Sequence, residues 1–355
     1  MPPILRLRAR TWIISTDLPR CHHFLQQPTG GLHLFHTSKP FQSLRSAPKM
    51  DIPLLELGDG NHIPMLAFGT GTAWFKKDGD TNFNQKLVDQ IKKAIDKGFY
   101  HLDCAEMYGT EEEVGRAIKD SEVPREKFFI TNKVSHGIGD IDAAIRESLK
   151  KIQLDYFDPY LIHTPYFANL DPDLDSDSDA FKCARAEFQR KWKSMEKLKT
   201  AGLAKSIGVS NYLRHHVEAT LDGATIPPVL NQIEFHPYLQ RGNDYLPWLH
   251  KKGFKVGSFN GLTPAFRAPD GPLREPLSRI AEKYGTTEAA VLIKWIIQNG
   301  VVAVTTTRDP DRLDEYAQAL KITLEDNELQ EIKDLGLTYH FRASWPEHFK
   351  ADDRS

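Results

Sequence analysis

"HLDCAEMYG", residues 101–109, follows the apolar lead-in Gly98-Phe99-Tyr100 and carries Asp103 in the middle of what reads as a buried strand. An ionised carboxylate is costly to bury unless it is paired, so a strand of this kind demands a cationic neighbour. Outward from it, from about residue 60 onward, short apolar or β-branched runs alternate with longer amphipathic ones, as repeated βα units require. Eight strands follow from this pattern: "PMLAFGT" (64–70), "YHLDCAE" (100–106), "KFFITNKV" (127–134), "FDPYLIHT" (157–164), "AKSIGVSN" (204–211), "VLNQIEF" (229–235), "KVGSFNGL" (255–262) and "VVAVTTT" (301–307). Helices are expected between them, among others over Gln85–Lys97, Ile141–Lys151, Phe181–Thr200 and Leu273–Tyr284. Gly98 and Gly202 stand where left-handed C-caps belong. Eight βα units suit a closed parallel barrel better than an open sheet shared by two domains. The expected fold is therefore an α/β protein, a (β/α)8 TIM barrel over residues 50–355, with its chemistry at the C-terminal ends of the strands.

The chain has 355 residues, a formal net charge of −2, 40% hydrophobic and 26% charged residues, which is the profile of a soluble protein with a large core. Near-neutral charge gives no general attraction to nucleic acid or anionic membrane, and no apolar run approaches membrane-helix length. Residues 1–49 are rich in Arg, Ser and Pro with one acid, Asp17. They read either as a mitochondrial transit peptide or as an extension upstream of a true start at Met50, giving a cytoplasmic protein in the second case and a mitochondrial one in the first. Cys21, Cys104 and Cys183 are widely spaced without a C-x-x-C, so neither a disulfide framework nor a structural metal site is expected. "CHHF" (21–24) lacks further ligands. "DPDLDSDSD" (171–179) has Ser176 and Lys182 where a calcium loop needs glycine and glutamate, and reads as a solvated acidic loop capping the next helix.

Four polar groups fall at the ends of consecutive strands: Asp103 with Tyr108, then Lys133, then His163. Asp103 and Lys133 pair naturally, and alone the pair would be a strut of the barrel rim. Tyr108 adds chemistry, because a nearby ammonium favours phenolate and lowers the pKa of a phenol toward use as an acid. His163 can orient a substrate oxygen toward it. A tuned phenol without a charged nucleophile suits carbonyl reduction, in which hydride must come from a cofactor. A dinucleotide-binding regulatory barrel with little turnover is the alternative. A Schiff-base aldolase using Lys133 is a third reading, weakened by Asp103 keeping the amine protonated.

For the cofactor, "GTGTAW" (69–74) offers Gly71 and Thr72 but lacks the third glycine of a dinucleotide fingerprint. Ser210, Asn211 and Gln232 end or line later strands, Phe259 offers an aromatic face for a nicotinamide, and Thr306, Thr307, Arg308 and Arg312 cluster as phosphate donors near a helix start.

Taken together, "GFYHLDCAEMYGTEEEVGRAI", "PREKFFITNKV", "YLIHTP", "AKSIGVSN" and "NQIEFHPY" resemble the aldo-keto reductase family over almost everything from Ile52 onward. The resemblance implies a catalytic tetrad of Asp103, Tyr108, Lys133 and His163 with Tyr108 the general acid, and NADPH as hydride donor, NADH remaining an option. It implies that Ser210, Asn211 and Gln232 hold the nicotinamide amide over Phe259, with Asn260, Leu262 and Glu315 completing the cofactor site. Four positions depart from the family pattern: Gly261 replaces proline, which suggests a more mobile phosphate loop; Thr306 and Thr307 replace a Lys-Ser pair; and Tyr316 replaces asparagine. Arg308 and Arg312 are then expected to supply the missing charge. "TTT-R" with "GTGTAWFK" is similar to the fungal subgroup reducing conjugated polyketones, ketopantoyl lactone and α-keto amides. Trp74, Tyr166 and the C-terminal "YHFRASWPEHF" (339–349), especially Trp345, are expected to form substrate walls, the C-terminal stretch acting as a specificity loop. The implied partner is a small carbonyl compound, without nucleic acid, membrane or metal, on a monomer or homodimer.

Overall fold

The computed structural model of the chain describes residues 50–77, 79–168 and 177–355. The expectations for residues 1–49, with Cys21 and "CHHF", and for most of the acidic stretch 171–179 lie outside the described residues.

Strands β1 (Leu54–Glu56) and β2 (His62–Pro64) form an antiparallel hairpin that the sequence pattern did not reveal, each being three residues long. Its Leu57 and Ile63 pack with Leu161, Val229, Leu230 and Val302, sealing apolar side chains of the barrel strands. Then come β3 (Leu66–Gly69), α1 (Gln85–Asp96), β4 (His101–Asp103), α2 (Glu111–Asp120), β5 (Phe129–Val134), α3 (Ile141–Ile152), β6 (Phe157–Ile162) and α4 (Asp179–Thr200). The second half continues with β7 (Ala204–Ser210), α5 (Arg214–Leu221), β8 (Leu230–Glu234), α6 (Tyr245–Lys251), β9 (Lys255–Phe259), α7 (Thr263–Phe266), α8 (Arg274–Tyr284), α9 (Glu288–Gln298), β10 (Val301–Thr305), α10 (Asp311–Gln318) and α11 (Asp326–Leu337). Strands β3 to β10 are all parallel and close into a barrel, β10 pairing with both β9 and β3. All eight expected strands are present.

Helix boundaries follow from local chemistry. Asn84, Asp140, Ser178 and Thr287 each accept a backbone N–H of the first turn of α1, α3, α4 and α9, satisfying donors that helix starts leave orphaned. Ser178, rather than one of the aspartates, caps α4, with Asp179 in its first turn. Gly98 and Gly202 adopt φ of +98° and +76° behind α1 and α4, the left-handed turn a side chain would resist. The layer between strands and helices is apolar, with Phe68, Phe99, Trp192 and Trp295 fully enclosed.

The register places the polar groups. His101 pairs with Phe129 and Asp103 with Thr131 across β4 and β5. The side chains meet two residues further along: His101 Nε2 reaches Thr131 Oγ1 at 3.0 Å, and Asp103 reaches Lys133. The tilt of barrel strands causes this one-pleat offset and stacks two polar layers toward the C-terminal mouth.

Candidate active site

At that mouth Lys133 Nζ donates to Asp103 Oδ1 at 2.7 Å and to Cys104 O at 2.7 Å, while Gln232 Nε2 donates to Asp103 Oδ2 at 2.7 Å. The Lys133 side chain has 0% exposure and that of Asp103 4%. Burial works against the ammonium, but the Asp103 charge and hydrogen bond and the nearby Tyr108 outweigh it, holding the Lys133 pKa above its ordinary value. A protonated, doubly bonded amine is no nucleophile, so the geometry opposes Schiff-base chemistry.

Tyr108 ends a short 3-10 turn, Glu106–Tyr108, closed by Gly109 at φ +66°. Its carbonyl accepts from Lys76 N at 3.1 Å, tying the turn to the loop after β3. Gly71 lies directly under the ring: a Cβ there would sit 2.8 Å from Tyr108 Cζ, a close approach that only glycine permits. The Lys133 ammonium stands 5.1 Å from the ring centroid, and the His163 ring meets Tyr108 edge-on at 5.5 Å. The phenol is tuned differently from the sequence expectation. Burial pushes its pKa above the ordinary value; Lys133 pulls it down, but Asp103 opposes that pull, and the net shift is upward. Tyr108 therefore stays protonated at neutral pH.

His163 is enclosed, and burial followed by the charges of Lys133 and His136 drives its pKa well below the usual imidazole value. It is a neutral hydrogen-bonding group, and its Nδ1 is buried without a partner among the described residues. Asn211 fixes its backbone by donating to His163 O at 2.9 Å; Asn211 also donates to Ser210 Oγ at 3.1 Å, and Ser210 donates to Gln232 O at 2.7 Å. Asn211 adopts φ +61°, a left-handed turn that asparagine tolerates better than most side chains. Thus Ser210, Asn211 and Gln232 form one network beside Asp103 and His163.

A cavity of about 220 Å³ runs from Asp103, Tyr108 and Gly71 outward past Thr72, Phe259, Asn260 and Leu262 to Thr306 and Arg312. Its lining combines aromatic faces with hydroxyl and guanidinium donors, and Thr306 Oγ1 is buried without a partner among the described residues. These residues fit an elongated dinucleotide with a phosphate at the outer end. Six expected cofactor residues lie outside this lining: Ser210, Asn211 and Gln232, which form the network beside Asp103, and Thr307, Glu315 and Arg308, which are engaged elsewhere. Thr307 Oγ1 accepts from Asp309 N at 2.9 Å within its own loop. Glu315 lines a neighbouring groove. Arg308 donates from Nε to Ala73 O at 2.6 Å, with its guanidinium 5.7 Å from the Trp74 ring. Gly261 also differs from expectation: a Cβ would fall 2.4 Å from Ile296 Cδ1, so its role is close packing against α9.

Tyr166 and Trp345 are brought together, with ring centroids 5.3 Å apart, and His348 stacks on Tyr166 at 3.6 Å. Their segment is pinned across the mouth by Glu234, whose two carboxylate oxygens accept from Ala343 N and Ser344 N, each at 2.9 Å. Trp74 is 8% exposed and donates to Thr307 O at 3.2 Å, which makes it a tie between two loops. The adjacent Phe75 is 42% exposed and stands 6.2 Å from the Tyr108 ring. Phe266 and Arg267 of the cavity wall were missed, since nothing in their spacing marks them; Tyr316, noted in the sequence only as a departure from the family pattern, also lines the cavity. Among the described residues no helix is long and apolar enough to cross a membrane, and no cluster of three or more His, Cys, Asp or Glu could hold a metal.

The family model for the aldo/keto reductase family matches residues 66–336. The chain belongs to the aldo/keto reductase family. It is accordingly an oxidoreductase acting on carbonyl groups. It is 38% identical over 284 residues to an NAD/NADP-dependent indole-3-acetaldehyde reductase of Schizosaccharomyces pombe, covering 80% of this chain and 95% of that protein. It is 34% identical over 304 residues to the NADPH-dependent alpha-keto amide reductase of Saccharomyces cerevisiae, covering 81% and 93%. Among solved structures, an aldo/keto reductase from Brucella melitensis superposes with a TM-score of 0.67 at 31% identity, covering 80% of this chain and 99% of that one. A Bombyx mori aldo-keto reductase in complex with NADP does so with 0.67 at 28% identity, covering 80% and 92%.

Proposed function

We propose that this aldo/keto reductase reduces activated ketones, those flanked by a second carbonyl or an amide, to alcohols, with Tyr108 as the proton donor. The cofactor is NADP(H); when bound, its nicotinamide supplies the hydride. The observation that carries the reading is the buried pair Asp103–Lys133 against the half-buried Tyr108, beside a neutral His163 at the inner end of the cavity. His163 gives a hydrogen bond to the substrate oxygen and polarises it. Tyr108 passes its proton to that oxygen as negative charge develops there, and Lys133 stabilises the phenolate left behind. Asp103 keeps Lys133 charged and fixed, and is itself held by Gln232. Ser210, Asn211 and Gln232 would hold the nicotinamide amide; Phe259 and Leu262 would pack along the cofactor, and Arg312 with Thr306 would take its outer phosphate. Phe75, Tyr166 and Trp345 would border the substrate. An electrophilic carbon next to a second electron-withdrawing group needs only this polarisation, and the alpha-keto amide reductase among the relatives supports the class.

The test is Tyr108→Phe assayed with NADPH and a panel of diketones, α-keto amides and simple aldehydes. Loss of turnover by about 10²–10⁴-fold is expected, with NADPH binding retained by fluorescence titration. Full activity in that variant refutes the role of Tyr108, and no preference for the activated ketones in the parent protein refutes the substrate class.

A further inference from the structure

We infer that Arg267 is a second guanidinium for the adenosine 2′-phosphate of the cofactor and a determinant of NADP(H) over NAD(H) binding. The inference rests on the cofactor reading above and deepens it. Two neutral residues, Thr306 and Thr307, stand where the family resemblance placed a lysine-serine pair, so charge must come from elsewhere. Arg308 does not provide it, being turned onto Ala73 O and the Trp74 ring. Arg312 provides one cation: it lines the cavity and lies 4.6 Å over the exposed Phe266 ring, which orients its planar fork. Arg267 lines the same cavity one residue beyond Phe266, at the end of α7, where its backbone N donates to Thr263 O. Its guanidinium is exposed and has no hydrogen-bond or ion-pair partner among the described residues. The buried, unpartnered Thr306 Oγ1 belongs to the same wall. Two arginines and an orphan hydroxyl lining one cavity offer a donor set for a phosphate monoester, which carries close to two negative charges at neutral pH. A free ribose hydroxyl, as in NAD(H), would leave the second guanidinium without work.

The experiment titrates the full chain and its Arg267→Ala and Arg267→Lys variants by intrinsic fluorescence with NADPH, NADH, 2′,5′-ADP and 5′-AMP. The last two differ only in the 2′-phosphate. Arg267→Ala is expected to weaken NADPH and 2′,5′-ADP about tenfold, as loss of one charge-assisted contact implies, while NADH and 5′-AMP stay within about twofold; Arg267→Lys should recover part of the loss. Equal weakening of NADPH and NADH overturns the inference, because Arg267 would then serve a part common to both cofactors. Unchanged binding of all four ligands also overturns it. Should the parent protein bind neither dinucleotide, the broader cofactor reading fails instead.

Discussion

Replacing Asp103 by asparagine removes one charge and leaves the shape almost unchanged, which makes it the sharpest probe of the buried network. Both carboxylate oxygens receive donors, Lys133 Nζ at 2.7 Å on Oδ1 and Gln232 Nε2 at 2.7 Å on Oδ2. An amide has one oxygen and one NH2, so whichever way the substituted side chain turned, a donor would face a donor. Lys133, enclosed with 0% side-chain exposure, would keep Cys104 O as an acceptor but lose its counter-charge. Breaking a buried pair from one side costs about 3–5 kcal/mol. At about 2 °C per kcal/mol for a domain of this size, the melting temperature should fall by about 6–10 °C. The pH dependence adds a signature. In the parent, Asp103 holds the Lys133 pKa above its unfolded value, so that contribution is fully present below the unfolded pKa of 10.5 and is lost as pH rises through the folded value. In the variant burial dominates and the folded pKa drops below the unfolded one, so the variant gains stability relative to the parent as pH rises toward 10.5. Thermal unfolding by circular dichroism across about pH 7 to 10, in parallel with NADPH-dependent turnover, reads both effects. A variant that melts within about 2 °C of the parent, or with a deficit independent of pH, would refute the coupling. A double substitution of Asp103→Leu with Lys133→Met should restore much of the stability and none of the activity, because no unpaired charge remains buried.

Gly71→Ala places a methyl group 2.8 Å from Tyr108 Cζ and 2.9 Å from Cε2, so the ring has to move. Turnover should drop about 10–100-fold, as a misplacement near 1 Å implies, with only about 1–3 kcal/mol of stability lost to overpacking; unaltered steady-state turnover would show that Gly71 does not position the phenol. Acid stability should follow four buried imidazoles, His101, His163, His216 and His236, whose pKa values burial lowers. Below the unfolded value near 6.5 the unfolded chain takes up protons that the folded chain refuses, so stability falls as pH drops, by up to about 1.4 kcal/mol per pH unit for each. Urea unfolding at about pH 7, 6 and 5 measures the trend, and a midpoint unchanged across that range would contradict it.

Periodicity alone located all eight barrel strands and the expected helices, because each strand is bounded by turn residues and each amphipathic run has the period of a helix. The hairpin Leu54–Pro64 escaped, since three-residue strands carry too few alternations to register. At the site, the demand of Asp103 for a partner was readable from its position in an apolar strand, and consecutive strand ends named Lys133 and His163. Burial decided the direction of the Tyr108 shift, an environment that no spacing encodes. Packing between loops remote in sequence likewise set Trp74 against Thr307 and Arg308, left Phe75 beside the phenol, and brought Arg267 from the loop after β9 to the recess holding Arg312 from α10. The sequence by itself therefore determined the barrel and the residues at its mouth, since hydrophobic period and strand ends are local properties. Which side chains face the cofactor cavity, and in what protonation state, only the tertiary structure decided, because desolvation and loop-to-loop contacts depend on residues far apart in the chain.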